Sequence, residues 1–270
     1  MLDSRDVANT EKANGSSDLI VRTSGLTKQF SGFTAVSDVN LNVRRFSIHA
    51  LIGPNGAGKT TLFNLLTRFL PPTAGQIFYN GNDVTALRPA ELARRGMVRS
   101  FQISAIFPQM TVRDNVRIAM QRKLGLEFKF WRTVRSTDIL RDQIDQLLLD
   151  VGLIAYADEL AGRLPYGRKR ALEVATTLAL DPELLLLDEP IAGMDTRDVD
   201  RVKNLIKTIS VGRTIVIVEH NISVVAEISD HVTVLSRGSI LAEGDYATVS
   251  RNPKVMEAYL GVSADEVGHG

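Results

Sequence analysis

The chain has 270 residues, of which 44% are hydrophobic and 23% are charged, enough material for one large globular domain or two small ones. Its 32 Lys and Arg residues nearly balance its 31 Asp and Glu residues, giving a formal net charge of +1. This charge does not favour a nucleic-acid partner. The absence of cysteine excludes a disulfide scaffold and thiolate metal sites and fits a reducing compartment such as the cytoplasm.

The hydropathy pattern predicts that any contact with a membrane is peripheral. Residues 1–18 are polar and lack the apolar stretch of a signal peptide. They cannot bury enough apolar surface to offset the entropy of ordering, so we predict a disordered N-terminal segment, and we expect residues 262–270 to be flexible. No uninterrupted apolar run approaches the roughly 20 residues that span a bilayer.

The first structured part of the chain predicts antiparallel strands followed by a strand, a glycine-rich loop and a helix. Short strand-like runs occur at residues 19–21 and at residues 39–43, where apolar and polar residues alternate. A compact apolar run at 48–52 leads into the glycines, and residues 60–69 then carry apolar side chains at helical spacing.

The second half of the chain alternates strand and helix patterns, which predicts a parallel sheet. Strands are predicted at 184–187, 214–218 and 232–235, with an amphipathic helix between the first two. Between Thr111 and Leu164 the strand patterns disappear, and residues 139–151 form an amphipathic helical pattern that ends near Gly152. We therefore expect a helical insertion in an α/β core.

The glycine-rich loop carries a phosphate-binding motif. Its sequence is Gly53-Pro54-Asn55-Gly56-Ala57-Gly58-Lys59-Thr60, which fits G-x-x-x-x-G-K-[ST]. In this motif the glycines let backbone N–H groups surround phosphates at the start of a helix. We expect Lys59 to hold the β- and γ-phosphates and Thr60 to hold Mg²⁺.

Two carboxylates follow the apolar run at 184–187. Asp188 and Glu189 lie at the predicted C-terminal end of a buried strand, where α/β sheets bind ligands. We expect Asp188 to serve Mg²⁺ and Glu189 to orient or deprotonate water. Solvated acids at the end of an element are the alternative, and the two motifs alone are also compatible with a kinase, a GTPase or a recombinase-like motor.

Further motifs resemble those of the ABC ATPase family. The matching positions are Phe30, Gln102 in Val98-Arg99-Ser100-Phe101-Gln102, the segment Ala192-Gly193-Met194-Asp195, and His220 after the run at 214–218. The resemblance covers residues 19–261. It implies a single α/β domain with a P-loop NTPase core and a parallel sheet, an N-terminal antiparallel β subdomain, a helical subdomain inserted at about 103–170, and a C-terminal tail at about 245–261.

The resemblance also implies the roles of the site residues. Phe30 would stack on adenine, although Phe33 competes with it and either ring is also compatible with a place in the β core. The expected catalytic residues are Glu189, His220, Lys59 and Gln102, although His220 alone is also compatible with a structural role. The residues expected to contact ATP are Phe30, Gly53, Asn55, Gly56, Ala57, Gly58, Lys59, Thr60 and Thr61, and those expected to hold Mg²⁺ are Thr60, Gln102 and Asp188.

The family's signature, usually Leu-Ser-Gly-Gly-Gln, departs from its pattern in this chain. The corresponding segment, which we call the signature segment, is Leu164-Pro165-Tyr166-Gly167-Arg168, and Pro165 has neither the serine hydroxyl nor a backbone N–H. We expect Gly167 and the helix end to contact the ATP of a partner subunit, with the charge of Arg168 able to approach phosphate. A second departure is Phe46-Ser47, where the family usually has glycine in the turn.

Two features are similar to the ATP-binding subunits of branched-chain amino-acid importers. They are the Tyr-Gly form of the signature segment and the tail Asn252-Pro253-Lys254-Val255-Met256-Glu257-Ala258-Tyr259-Leu260-Gly261, which related amide, urea and lipopolysaccharide systems share in part. An aromatic excursion at 124–131, which includes Trp131, is expected either to dock on a membrane partner or to fill a small core of the insertion.

The resemblance implies that the chain powers transport as part of a larger complex. Its partners would be a second ATPase subunit, identical or homologous, transmembrane permease subunits and a periplasmic solute-binding protein, with no nucleic acid. The chain would associate peripherally with the cytoplasmic face of the inner membrane. Two alternatives are a scaffold subunit that binds ATP without hydrolysing it, as the altered signature segment suggests, and a soluble ABC protein acting on ribosomes or DNA.

Overall fold

The computed structural model describes residues 18–100, 106–123, 134–194 and 196–260. In chain order its strands are β1 (Leu19–Phe30), β2 (Phe33–Val39), β3 (Asn42–Arg44), β4 (Ile48–Ile52), β5 (Ala74–Tyr79), β6 (Asn82–Asp83), β7 (Met97–Arg99), β8 (Leu184–Asp188), β9 (Thr214–Val218), β10 (His231–Ser236) and β11 (Ser239–Gly244). Its α-helices are α1 (Lys59–Leu66), α2 (Pro89–Arg94), α3 (Val112–Lys123), α4 (Val134–Asp150), α5 (Tyr166–Leu178), α6 (Thr196–Ile209), α7 (Ile222–Ile228), α8 (Tyr246–Ser250) and α9 (Pro253–Leu260).

The chain divides into two compact units, and the first contains Met1–Arg95 and Arg213–Gly270. Its N-terminal strands form an antiparallel sheet in the order β2-β1-β5-β6, with β3 also paired to β1. The antiparallel opening that the sequence predicts is therefore confirmed.

The single strand predicted at 39–43 is wrong, because the chain leaves β2 at Val39 and starts β3 at Asn42. Thr23 of β1, which is buried, explains the break. Its hydroxyl donates to the carbonyl of Val39 and accepts from the N–H of Leu41, each at 2.8 Å. The backbone groups at the break are thus satisfied without a continuous strand ladder.

The first unit also contains a parallel arrangement centred on β4. Strands β9 and β10 pair with β4 in parallel, and β11 pairs with β10 in antiparallel fashion. Every residue of β4 and β9 is buried, as expected for parallel strands, which read as nearly continuous apolar runs. The parallel sheet predicted from the sequence is confirmed, and β4 leads directly to the glycine-rich loop and α1.

The second unit, Gly96–Gly212, combines the parallel pair β7 and β8 with helices α3 to α6. Helix α4 ends at Asp150, and Gly152 follows with a φ of 70°, so the predicted stop near this glycine is confirmed. The predicted apolar face of α6 is also confirmed in its C-terminal half, where Val202, Leu205 and Ile206 are buried.

His49 is a buried titratable residue inside β4, and the apolar pattern of this strand does not explain it. Its side chain is 1% exposed, and its Nε2 lies 2.8 Å from the Thr233 hydroxyl. Because that hydroxyl donates to Glu243 at 2.8 Å, it accepts from His49, whose Nε2 therefore carries a hydrogen. Burial, with the nearby His231 as a smaller cause, lowers the pKa of His49 to about 3.

This lowered pKa predicts a loss of stability at acidic pH. The unfolded chain binds the proton near pH 6.5 and the folded chain near pH 3, so the contribution of His49 is complete above about pH 6.5 and falls as the pH decreases below that value. Between pH 7 and pH 5 we expect the free energy of unfolding to fall by about 2 kcal/mol more than in His49→Gln. Urea denaturation at both pH values measures the free energy of unfolding of each chain. An equal fall in the unchanged chain and in His49→Gln would contradict the prediction.

Candidate functional site

The loop between β4 and α1 has a backbone that excludes side chains at two glycines. Gly58 has a φ of 100°, and a Cβ there would lie 2.5 Å from the backbone oxygen of Ala35. Gly53 has a φ of 153°, and a Cβ there would collide with the backbone oxygen of Leu235. The loop therefore depends on glycine at both positions.

Lys59 begins α1 and turns its ammonium group back toward this loop. The side chain is buried, and its Nζ donates to the carbonyls of Gly53 at 2.7 Å and Pro54 at 3.0 Å. Thr60 is exposed and Thr61 half-buried in the first turn of α1, where backbone N–H groups lack intrahelical acceptors. These features fit a polyphosphate ligand. They are a tight glycine loop, a lysine held beside it, and a helix N-terminus without a side-chain cap.

Backbone hydrogen bonds join the glycine-rich loop to the N-terminal hairpin. The N–H of Gly238 donates to Ala57, and the carbonyl of Gly238 accepts from Ser37 of β2, at 2.9 and 2.8 Å. At the other end of this hairpin Phe30 is 43% and Phe33 65% exposed, so neither ring belongs to the β core. Both present an aromatic surface, and the choice of Phe30 as the adenine contact stays a prediction.

The C-terminal helix α9 also lies beside the loop, a feature that the sequence did not reveal. A cavity of about 870 Å³ is lined by the loop from Pro54 to Ala57, by the β10–β11 turn and by α9. The hydroxyl of Tyr259 in α9 is buried, and within the described part of the chain it makes no hydrogen bond of ordinary geometry. Burial raises the pKa of Tyr259 to about 12, although the backbone N–H of Gly53 lowers it.

His220 lies between β9 and α7 and is exposed. Its backbone N–H donates to the buried carboxylate of Glu219 at 3.2 Å. Asn221 then caps α7 by accepting from the N–H of Val224. The imidazole is therefore exposed at the end of a strand, and the choice between a catalytic and a structural role for His220 stays a prediction.

In the second unit, two arginines that the sequence analysis did not single out hold Asp188. The carboxylate of Asp188 is 2% exposed and lies 2.6 Å from Nη2 of Arg99, the last residue of β7. Nη2 of Arg170 in α5 donates to the main-chain carbonyl of Asp188 at 3.2 Å. Charged residues within buried apolar elements need partners, which is the signal that could have identified both arginines.

Glu189 follows Asp188 with an unusual backbone conformation. Its φ is 43°, in the left-handed region that glutamate seldom adopts. Its carbonyl accepts from the N–H of Ala192 at 3.1 Å, which closes the turn after β8. The half-buried carboxylate is thus placed by a strained residue, a feature that clusters at functional sites.

The signature segment begins α5 with Pro165 as the N-cap residue, so the proline fits the helix without loss of a helical hydrogen bond. A Cβ on Gly167 would lie 2.6 Å from the Asp198 carboxylate, which places a negative group beside the predicted phosphate contact. Arg168 stacks on Tyr156 at 3.9 Å rather than extending from the helix end.

Several predicted features lie outside the described residues. They are Gln102, Asp195, the aromatic excursion at 124–131, the N-terminal segment 1–17 and the C-terminus 261–270. Phe46, at the second departure from the family pattern, has a φ of 56° and donates its N–H to Thr214 at 2.9 Å. Within the described ranges, the helices are too short or too polar to cross a bilayer.

Comparison with known proteins decides the family. The ABC transporter family model matches residues 36–192, more than half of the chain. This chain belongs to the ABC transporter family. A second model, described as a branched-chain amino acid ATP-binding cassette transporter, matches residues 239–265.

Relatives cover nearly all of this ABC transporter chain. The high-affinity branched-chain amino acid transport ATP-binding protein BraF of Pseudomonas aeruginosa is 39% identical over 249 residues, 90% of this chain and 98% of BraF. LivG of Escherichia coli, which has the same description, is 38% identical over 249 residues, with the same coverage. The crystal structure of an ABC transporter's ATP-binding cassette in its ADP conformation has a TM-score of 0.78 and 30% identity, covering 90% of this chain and 99% of that one.

The chain is therefore an ATP-binding, ATP-hydrolysing subunit of the ABC type, and its predicted fold class is confirmed. The kinase, GTPase and recombinase-like alternatives are wrong. The relatives named above are ATP-binding subunits of transporters rather than ribosome- or DNA-acting proteins, and they do not favour the non-hydrolysing scaffold.

Proposed function

We propose that this chain is the ATPase of an importer for branched-chain amino acids. The observation that carries the solute class is the match of residues 239–265 to the branched-chain amino acid cassette model. The names of BraF and LivG support it, since both relatives extend over 90% of the chain. In this proposal the ATPase subunit does not contact the transported solute. The assignment of the solute class therefore rests on these similarities.

The proposed reaction is attack of water on the γ-phosphate of ATP. The amides of the glycine-rich loop and Lys59 hold the β- and γ-phosphates, and the exposed Phe30 stacks on adenine. Glu189 orients the water and accepts its proton, and His220 donates a hydrogen bond to the γ-phosphate. Phosphoryl transfer depends mainly on such positioning and charge stabilisation.

Mg²⁺ fits the donor set of the chain as the proposed companion of ATP. The exposed hydroxyl of Thr60, the side-chain oxygen of Gln102 and the carboxylate of Asp188 are hard oxygen donors of the type that Mg²⁺ takes. Bound there, Mg²⁺ would neutralise phosphate charge. No group of three or more His, Cys, Asp or Glu side chains that could hold a metal ion lies in the described ranges.

We infer that two ATPase subunits work as a pair. The chain carries one glycine-rich loop and one signature segment, and in the proposed arrangement Gly167 and the N-terminus of α5 contact the ATP of the partner. The remaining proposed partners are transmembrane permease subunits and a periplasmic solute-binding protein. The chain would lie on the cytoplasmic face of the inner membrane, held by the permease subunits.

Reconstitution tests this proposal. The chain is assembled with its permease subunits in proteoliposomes, and ATP hydrolysis is measured with the solute-binding protein in the presence of leucine, valine or isoleucine. We expect each amino acid to stimulate hydrolysis, and we expect urea and acetamide to leave it at the basal rate. Stimulation by urea or acetamide alone would overturn the assignment of the solute class, while the ATPase assignment would remain.

A further inference from the structure

Helix α5 carries a buried ion pair close to the signature segment. Arg170 and Glu173 are 7% and 9% exposed, and Nη1 of Arg170 lies 2.6 Å from Oε2 of Glu173. A buried charge needs a partner, because desolvation is otherwise too costly. The pair uses one nitrogen of the guanidinium fork, and the planar fork can reach a second acceptor at the same time.

The second nitrogen of Arg170 contacts the backbone of the proposed catalytic strand end. Nη2 donates to the carbonyl of Asp188 at 3.2 Å, and this carbonyl belongs to the peptide that joins Asp188 to Glu189. The direction of the Glu189 side chain depends on how that peptide is oriented, and Glu189 itself is held at a φ of 43°. Arg170 therefore acts on Glu189 through the peptide that precedes it.

The same helix begins at the signature segment. Gly167 lies in the first turn of α5, and Arg170 follows one turn later. An α-helix transmits a shift of its first turn to the next turn, because the turns are joined by hydrogen bonds. A shift of the signature segment would therefore also move Arg170 relative to the Asp188 carbonyl.

We propose that Arg170 is a positioning residue that links the signature helix to the Asp188–Glu189 peptide. When α5 engages the ATP of the partner, Arg170 sets the peptide in the orientation that aims the Glu189 carboxylate at water in its own subunit. Two nucleotide sites are thereby coupled within one chain. This inference rests on the proposed roles of Glu189 and Gly167.

Arg170→Lys tests the link, with Glu173→Gln as the matched control. Lysine has a single ammonium, which can pair with Glu173 but lacks the fork that reaches a second acceptor. In the assembled transporter we expect Arg170→Lys to lower kcat about tenfold, within the range for one hydrogen bond to a charged donor. The KM for ATP and the affinity for a fluorescent ATP analogue should stay unchanged, and the Hill coefficient for ATP should fall toward one.

Glu173→Gln breaks the ion pair but keeps the donor to Asp188, so we expect a lower Tm with kcat and the Hill coefficient retained. If Arg170→Lys unfolds, the double variant Arg170→Met with Glu173→Leu replaces the pair by apolar side chains of similar size and should show the same loss of kcat. Unchanged kcat in either Arg170 variant would overturn the proposal. Equal losses of kcat in Arg170→Lys and Glu173→Gln would also overturn it, by showing a purely structural role.

The failure of this inference is distinguishable from a failure of the proposed reaction. If Glu189→Gln abolishes hydrolysis while Arg170→Lys does not reduce it, only the link is wrong. If Glu189→Gln leaves hydrolysis intact, the proposed role of Glu189 is wrong, and the link falls with it.

Discussion

Glu189→Gln is expected to lower kcat for ATP hydrolysis by at least about 100-fold, since a positioned general base contributes about 10²- to 10⁴-fold. Glutamine keeps the size of the side chain and a hydrogen-bond acceptor but cannot take a proton from water. Binding of ATP should persist, because Lys59 and the glycine-rich loop do not depend on this carboxylate. Phosphate release by the assembled transporter and titration with a fluorescent ATP analogue measure the two quantities.

Glu183→Gln is the matched control for this change. Glu183 is an exposed carboxylate that immediately precedes β8, whereas Glu189 immediately follows it. The control should hydrolyse ATP at the rate of the unchanged chain. Unchanged hydrolysis in Glu189→Gln would contradict the prediction and would support the scaffold alternative, in which a partner ATPase hydrolyses the ATP.

Gly58→Ala is expected to weaken ATP binding by about 100-fold. The added Cβ would lie 2.5 Å from the oxygen of Ala35 and 3.4 Å from Cα of Gly238, and backbone atoms cannot rotate out of the way as a side chain can. The loop must therefore shift and lose amide contacts to phosphate. Two such charge-assisted hydrogen bonds are together worth about 3 kcal/mol or more.

Gly56→Ala provides the control within the same loop. Gly56 also has a positive φ, of 78°, but a Cβ there would meet no atom within 4 Å. This variant carries only the left-handed backbone cost of roughly 1 kcal/mol. Thermal unfolding and titration with the ATP analogue compare the two variants. Equal losses of affinity would show that the close approach at Gly58 does not matter.

The sequence was sufficient for features whose cause is local. The glycine-rich loop was predictable because its spacing is fixed by a contact with phosphate, and β4, β8 and β9 were predictable because buried parallel strands are continuously apolar. The end of α4 was predictable from Gly152, because the left-handed conformation that follows a helix favours glycine.

Features that depend on distant partners were missed or wrong. The break between β2 and β3 depends on the hydroxyl of Thr23, which lies 16 residues before Val39. Arg99 and Arg170 both contact Asp188, at separations of 89 and 18 residues. The sequence pattern does not indicate which buried arginine contacts which acceptor. The groups around the proposed catalytic carboxylates could therefore be identified only from the structure.

ATP-dependent loss of labelled leucine from the lumen of proteoliposomes tests the central claim most directly. The vesicles contain the permease subunits, with this chain and its partner ATPase on the outer face. The solute-binding protein and leucine are inside the vesicles. In this orientation the transporter moves leucine from the lumen to the outside. We expect loss of luminal leucine only with external ATP and Mg²⁺, and none with Glu189→Gln. Leucine movement that is independent of ATP, or unaffected by Glu189→Gln, would contradict the account.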